Sequence, residues 1–246
     1  MSKREVAGEV ESFNLPSGIP VEIQEIDAAA ERLLTNRKEM ASGRALNKIM
    51  LNALVSFNNK PLPDNEGEAN TLLLDLKTGD RNYLLLRIRM QSYGDDLIFN
   101  YECPHCHKVS GYKINLREIL DSGDLKVYDY REDMPLIVET RGGTAEIDYS
   151  TGRTEQWLAQ VTEFDSVKVA LAACKSFNGK PPSYSEFSKL PVKDLAKIRM
   201  AYLGLKGGLD PRIELDCLEC DRSYDAMLYS IPDFFIPATS GESIGL

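Results

Sequence analysis

Five cysteines stand in the 246-residue sequence, at positions 103, 106, 174, 217 and 220. Four of them form two Cys-x-x-Cys pairs, Cys103-Pro-His-Cys106 and Cys217-Leu-Glu-Cys220. A pair at this spacing places two sulfurs close enough to share one tetrahedral ion, and two pairs complete a four-thiolate shell. The expected ligands are therefore Cys103, Cys106, Cys217 and Cys220, holding one structural Zn2+. A shell filled by four protein thiolates leaves no open position for catalysis. The spacing between the pairs is unusual. Compact zinc ribbons hold them ~15–20 residues apart, whereas Cys217 follows Cys106 by 111 positions.

Other chemistry fits less well. Cys103-Pro-His-Cys106 also spells a thiol oxidoreductase motif, in which the first cysteine sits at a helix N-terminus that activates its thiolate. Here Gly111 and the alternation of Tyr112, Ile114 and Leu116 predict strand, and a second matching pair has no use in that mechanism. His105 and His107 are the only histidines. They offer a replacement or a neighbour for a thiolate, but with four cysteines present they are expected to face solvent. A Ser/His/Asp or Cys/His device then lacks a separate base. No GxxxxGK[ST] loop is present, and Gly179-Lys180-Pro181 lacks the upstream glycine and following helix of a phosphate cradle. Cys174, in an apolar helical stretch, reads as a small buried hydrophobe. Neither an enzyme nor a small-molecule substrate is expected.

The elements around the pairs supply the positioning. Residues 1–20 read as an extended arm, because Pro16, Gly18 and Pro20 oppose helix and central strand. Helical spacing follows at Ile26, Ala29, Ala30, Leu33 and Leu34, and again from Leu46 to Phe57, with a break near Ser42-Gly43. Further helix is expected around Leu72–Leu76 and from Arg81 to Ser92. Alternation at Leu97, Phe99 and Tyr101 before Cys103, and after Cys106, makes each Cys pair the tip of a β-hairpin knuckle.

The second half replays this order. Ser56-Phe-Asn-Asn-Lys-Pro61 matches Ser176-Phe-Asn-Gly-Lys-Pro181 at an offset of 120, Ile88-Arg-Met90 matches Ile198-Arg-Met200 at 110, and the Cys pairs match at 114. Three landmarks in order indicate a duplication. Trp157 to Val161 and Val169 to Cys174 open the second helical unit, and Pro191 fits the first turn of its late helix. Between the copies, Lys126–Tyr130, Leu136–Thr140 and Ala145–Tyr149 read as short strands of a sheet bridging the halves. The fold class is then α+β: two related, mainly helical halves, each ending in a CxxC knuckle, joined as a split zinc ribbon with a small β segment between them. The divisions are 1–20, 21–120, 121–150, 151–233 and a C-terminal tail, 234–246.

Charge constrains the partners. Lys and Arg number 29 against 38 Asp and Glu, for a net charge of −9, while nucleic-acid and anionic-membrane binders work through positive fields. The main alternative, a zinc-ribbon regulator that binds nucleic acid, would need basic knuckles. These carry Glu102, Asp216, Glu219 and Asp221 beside Lys108 and Arg222. Arg87, Arg89, Lys197 and Arg199 are expected to pair with the chain's own carboxylates. No apolar run reaches the ~18 residues of a membrane span and no signal peptide precedes the polar start, so a cytoplasm with reduced thiols is expected, which favours metal over disulfides.

Several segments together resemble the baseplate protein family of T-even-type contractile-tailed bacteriophages, which includes a component associated with the central hub. They are Leu15-Pro-Ser-Gly18, Gly79-Asp-Arg-Asn-Tyr-Leu-Leu-Leu-Arg-Ile-Arg89, Ser92-Tyr-Gly94, both Cys pairs, and Asp233-Phe-Phe235. The likeness runs over about residues 13–236. The family's glycine after the second cysteine of a knuckle is replaced by His107 and Asp221. The resemblance implies a structural or assembly protein of the viral tail, made in the host cytoplasm and contacting other tail or baseplate hub proteins. Phe234 and Phe235 are either anchors for such a partner or pack back onto the knuckles. The residues after Asp233, rich in Ser, Gly and Pro, are expected to move freely without a partner.

Overall fold

The computed structural model describes residues 8–35, 44–161, 165–230 and 234–235, and the protein is a mixed α+β chain. The first half runs β1 (Glu11–Asn14), β2 (Pro20–Ile23), α1 (Ala28–Thr35), α2 (Arg44–Ala53), β3 (Leu54–Phe57), β4 (Lys60–Pro61), α3 (Glu66–Asp75), α4 (Thr78–Tyr93), β5 (Asp96–Glu102), β6 (Val109–Asn115) and α5 (Leu116–Asp121). The second runs β7 (Val127–Tyr128), β8 (Leu136–Thr140), β9 (Gly143–Ile147), α6 (Gly152–Ala159), α7 (Ser166–Ala173), β10 (Cys174–Phe177), α8 (Tyr184–Phe187), α9 (Val192–Leu203), β11 (Gly208–Leu209), β12 (Arg212–Asp216) and β13 (Ser223–Met227). Both halves interleave helices with short strands.

Two boundaries differ from the helical periodicity. The helix expected through Phe57 ends at Ala53, and Leu54–Phe57 continue as β3, paired with β2. Cys174 likewise opens β10 and does not lie inside a helix, although it is buried as expected. Short apolar runs satisfy helix and strand equally, and here pairing decided. Asn58 and Asn59, at φ 52° and 58°, make the left-handed turn that closes β3 on β4.

The described part of the N-terminal arm, residues 8–20, is more ordered than extended chain requires. Strands β1 and β2 form a hairpin in a four-stranded antiparallel sheet of order β1-β2-β3-β4, and Leu15 at its turn is buried. Strand β2 is interior despite Pro20, because Pro20 is its first residue, where a missing donor is tolerated, and its carbonyl accepts the Asn58 N–H at 2.8 Å. Residues 1–7, the expected break at Ser42-Gly43 and the tail from 236 onward lie outside the described residues.

The strands between the halves do not form a bridging sheet of their own. Strands β8 and β9 pair with β10 of the second half, and β7 pairs with β11. The hairpin thereby stands to β10 as β1–β2 stands to β3. The register repeats: Val21, Glu22 and Ile23 oppose Phe57, Ser56 and Leu54, while Ala145, Glu146 and Ile147 oppose Phe177, Ser176 and Cys174, with the irregularity in the same place. Asn178 N–H donates to Thr144 O at 2.9 Å, as Asn58 does to Pro20.

Helices α4 and α9 correspond from their N-termini. Lys77 and Pro191 are the caps, and Asp80 and Asp194, third in each helix, are both buried. That is an offset of 114, the offset of the Cys pairs. The Ile-Arg-Met likeness at 110 is therefore one helical turn out of register; α9 has 12 residues where α4 has 16.

Two cores result. The smaller one, around Ile147, Ala170, Phe187 and Ile198, belongs to the second half alone. The larger one is built by the first half but also takes in Ile213, Leu215, Tyr224, Ala226 and Leu228 of the second knuckle, together with Phe234 and Phe235. The two phenylalanines thus pack back onto the protein, 1% and 8% exposed.

Gly79-Asp80-Arg81 tethers α4 on three sides. A Cβ on Gly79 would lie 2.0 Å from the Gly207 carbonyl oxygen, so only glycine permits this approach of α4 to β11. The Asp80 carboxylate accepts the Ser17 N–H at 3.0 Å. Arg81, 1% exposed, donates to Leu73 O and to Glu155 of α6, both at 2.8 Å, crossing between the halves.

Candidate metal centre

Each Cys pair sits between two strands that alternate inward and outward. In β5, Leu97 and Phe99 point into the core; in β12, Ile213 and Leu215 do. The alternation carries the first cysteine of each pair inward, and Cys103 and Cys217 are each 1% exposed. The turns that follow are equivalent. Cys103 and Cys217 donate their N–H to Lys108 O and Arg222 O, and accept at their carbonyls from His107 and Asp221 at 2.9 and 3.0 Å. Cys103 Sγ receives the His105 N–H and Cys217 Sγ the Glu219 N–H, both at 3.4 Å.

The two turns face each other. The sulfurs of Cys103, Cys106, Cys217 and Cys220 lie within 4.8 Å of one another. Across the halves, Cys103 Sγ is 3.9 Å from Cys220 Sγ and Cys106 Sγ is 3.7 Å from Cys217 Sγ. A tetrahedral ion with Zn–S bonds of ~2.3 Å separates its sulfurs by ~3.8 Å. The four residues therefore fit one tetrahedral ion, and all five cysteines are free of disulfides.

Electrostatics point the same way. Four thiols this close cannot all ionise without a cation. The Glu219 N–H holds the Cys217 thiol down to about 7, whereas Cys220, against the lowering effect of the Arg222 N–H, is pushed up to about 12 by desolvation and the other thiols. A divalent ion would replace the shared protons.

Contacts outside the sulfurs also join the hairpins. Tyr112 and Tyr224 hydroxyls meet at 2.9 Å, Tyr101 stacks on Tyr224 with centroids 5.9 Å apart, and Lys108 pairs with Glu219 at 2.8 Å. None of these had a sequence signal; cross-strand aromatics pair once the hairpins lie side by side. His105 and His107 are exposed, as expected, and His107 Nδ1 lies 3.1 Å from Glu102, away from the sulfurs. His107 and Asp221 stand at φ 59° and 55°, in the left-handed region that glycine adopts without strain. Of the four cations expected to pair with carboxylates, Arg87 pairs with Glu11 and Lys197 with Asp194. Arg89 and Arg199 instead donate to backbone carbonyls.

Fold and site together define an α+β protein whose two hairpins bring four thiols to one point, close enough to bind a metal ion. The family model "T4 bacteriophage base plate protein" matches residues 14–152, more than half of the chain. The chain belongs to that family, and its role is that of a phage baseplate structural protein. The match takes in the first knuckle; Cys217, Cys220 and the Asp233–Phe235 segment lie beyond it. No curated protein and no solved structure matches the chain. Among the described residues no helix is long and apolar enough to cross a membrane.

Proposed function

We propose that the chain is a non-enzymatic component of the baseplate hub of a contractile phage tail, or a factor that assembles the hub, acting through protein–protein contacts. In this reading Cys103, Cys106, Cys217 and Cys220 hold one structural zinc ion, and the ion joins two related halves, 21–120 and 151–233, as a split ribbon. Strand pairing adds the β1–β2 hairpin to the first half and the β8–β9 hairpin to the second, and Phe234 and Phe235 belong to the larger core. The observation that carries the metal is the pair of cross-half sulfur separations, 3.9 and 3.7 Å, at the spacing one tetrahedral ion imposes. Structural zinc contributes ~10–16 kcal/mol in finger peptides, comparable with or above the ~5–15 kcal/mol that holds a typical domain. The ion supplies cross-linking, and the hairpins supply its orientation.

Zinc ribbons also serve nucleic-acid binding, but here Lys108 is engaged by Glu219, and Glu102, Asp216 and Asp221 surround the knuckles. Protein partners in the host cytoplasm, during tail assembly, suit that surface better. The test is co-purification with the other tail proteins of the source phage, followed by a search for the chain in finished particles. Retention of one or more hub proteins is expected. Retention of DNA or RNA in the micromolar range, lost as salt is raised, with no tail protein retained, would overturn the reading.

A further inference from the structure

Helix α9 buries one face and leaves the opposite one bare. Leu195 and Ile198 lie in the second core, while Val192, Met200 and Leu203 are 75%, 69% and 68% exposed. With Ala196 between them, these positions form a single stripe at i, i+4, i+8 and i+11. At the offset of 114 set by Asp80 and Asp194, their counterparts on α4 are Thr78, Asn82, Leu86 and Arg89.

The α4 stripe is covered. Asn82 Nδ2 donates to Leu209 O at 3.3 Å, Tyr229 Oη donates to Asn82 O at 2.5 Å, and Arg89 Nε donates to Phe234 O at 2.8 Å. Leu86 is 0% exposed. Much of this cover is chain that follows the second knuckle, where Tyr229, Phe234 and Phe235 pack edge to face at 5.0 and 4.7 Å. Among the described residues no segment plays that part on α9.

The surroundings of the bare stripe select its occupant. Between Lys189 and Lys206 the sequence carries five cations, Lys189, Lys193, Lys197, Arg199 and Lys206, and one acid, the buried Asp194, which Lys197 pairs, leaving four cations in excess. This is a local positive excess in a chain of net charge −9. At the Leu203 end a cavity of about 490 Å³ opens, lined by Tyr128, Tyr149 and Tyr202 among others. We infer that the α9 stripe docks an acidic segment of another baseplate protein, with large apolar or aromatic side chains seated on Val192, Met200 and Leu203 and an anchor in the cavity. Charge complementarity argues against a second copy, since α9 against α9 would oppose Lys193 and Lys197 with themselves. The chain's own residues 236–246 hold one acid, Glu242, and no aromatic. The inference rests on the reading that the chain works through protein contacts, and not on the zinc.

The test places a photo-crosslinking residue at position 200 of the full chain, co-expressed with the other tail proteins of its phage. A crosslink to an acidic, aromatic-bearing segment of one identified baseplate protein is expected. Met200→Asp/Leu203→Asp should weaken retention of that protein about tenfold or more, and Lys193→Glu, at a cation outside the Asp194 pairing, should weaken it severalfold, both with unchanged melting temperature. A crosslink to a second copy or to residues 236–246, or retention unaffected by both variants, would overturn the docking assignment while leaving the baseplate reading intact. Failure of the wild-type chain to retain any tail protein would overturn both.

Discussion

Asp80 and Asp194 do the same thing in the two halves: each, third in its helix, accepts the N–H of a hairpin-tip residue, Ser17 at 3.0 Å and Arg141 at 3.3 Å. Hairpin and helix are thus fixed together twice by one device. Their electrostatic settings differ. Burial pushes the Asp80 carboxyl up, against the lowering effect of Ser17. Burial acts on Asp194 in the same direction, but the Arg141 guanidinium and N–H outweigh it and hold that carboxyl below the ordinary range.

The two aspartates should therefore respond to pH with opposite sign. Asp194 binds protons less readily folded than unfolded, so its stabilisation is present above the ordinary carboxylate value of ~4 and is lost as pH falls through it. Asp80 binds protons more readily folded, so its contribution is present below that value and is lost as pH rises through its raised pKa. Urea midpoints between pH 3 and 7 check this. Asp194→Asn should be penalised most at pH 7, and Asp80→Asn most at pH 3; equal slopes for both would contradict it.

Glycine at either left-handed knuckle position should stabilise. A side chain at φ near +57° costs ~1–2 kcal/mol relative to the right-handed region, less for Asp, while glycine loses ~0.5–1 kcal/mol more chain entropy. The exposed His107–Glu102 contact is worth little. His107→Gly and Asp221→Gly should each raise the melting temperature of the metal-bound protein by about 1–3 °C. A fall of several degrees would show that the side chains matter more than the backbone.

Crowding at Gly79 should be costly. A methyl group there must push β11 away from α4, because the nearest atoms are backbone, Gly207 O at 2.0 Å and Gly208 Cα at 2.7 Å. Gly79→Ala is expected to destabilise by ~2–3 kcal/mol, read as a lower urea midpoint. Gly67→Ala, at an exposed position in the first turn of α3 with only the Asn65 side chain nearby, is the control and should be close to neutral.

Arg89 holds the C-terminal segment. It is 1% exposed, and its guanidinium donates to the carbonyls of Phe234, Gly94 and Asp96. Arg89→Ala leaves those carbonyls without their donor, a loss of ~3 kcal/mol. Amide exchange at residues 228–230 and 234–235 should accelerate well before the rest of the larger core. Uniform acceleration throughout the chain would contradict a local tether.

The cysteine cluster was legible because thiolate chemistry is written in residue type and spacing: Cys103, Cys106, Cys217 and Cys220 lie together, close enough to bind an ion. The helix-to-strand switches at Leu54 and Cys174 were not, because a four-residue apolar run carries no period of its own and its partner strand lies tens of residues away. The same holds for β8 and β9, whose alternation marked them as strands without saying that they join β10. Asp80 and Asp194 share the 114 offset of the cysteines, so aligning the halves on that single offset could have found them. The Tyr112–Tyr224 and Lys108–Glu219 contacts arise only after the hairpins meet.

The proposed ion would join the halves through four sulfurs. Its most direct test is zinc content, with zinc-edge X-ray absorption, on protein purified without chelator, for the wild-type chain and Cys217→Ser. About one zinc per chain is expected in the wild type, in an all-sulfur, four-coordinate shell at ~2.3 Å, with both metal and thermal stability lost in the variant. A wild-type protein that carries no metal, or a Cys217→Ser protein that keeps both its zinc and its stability, would contradict it.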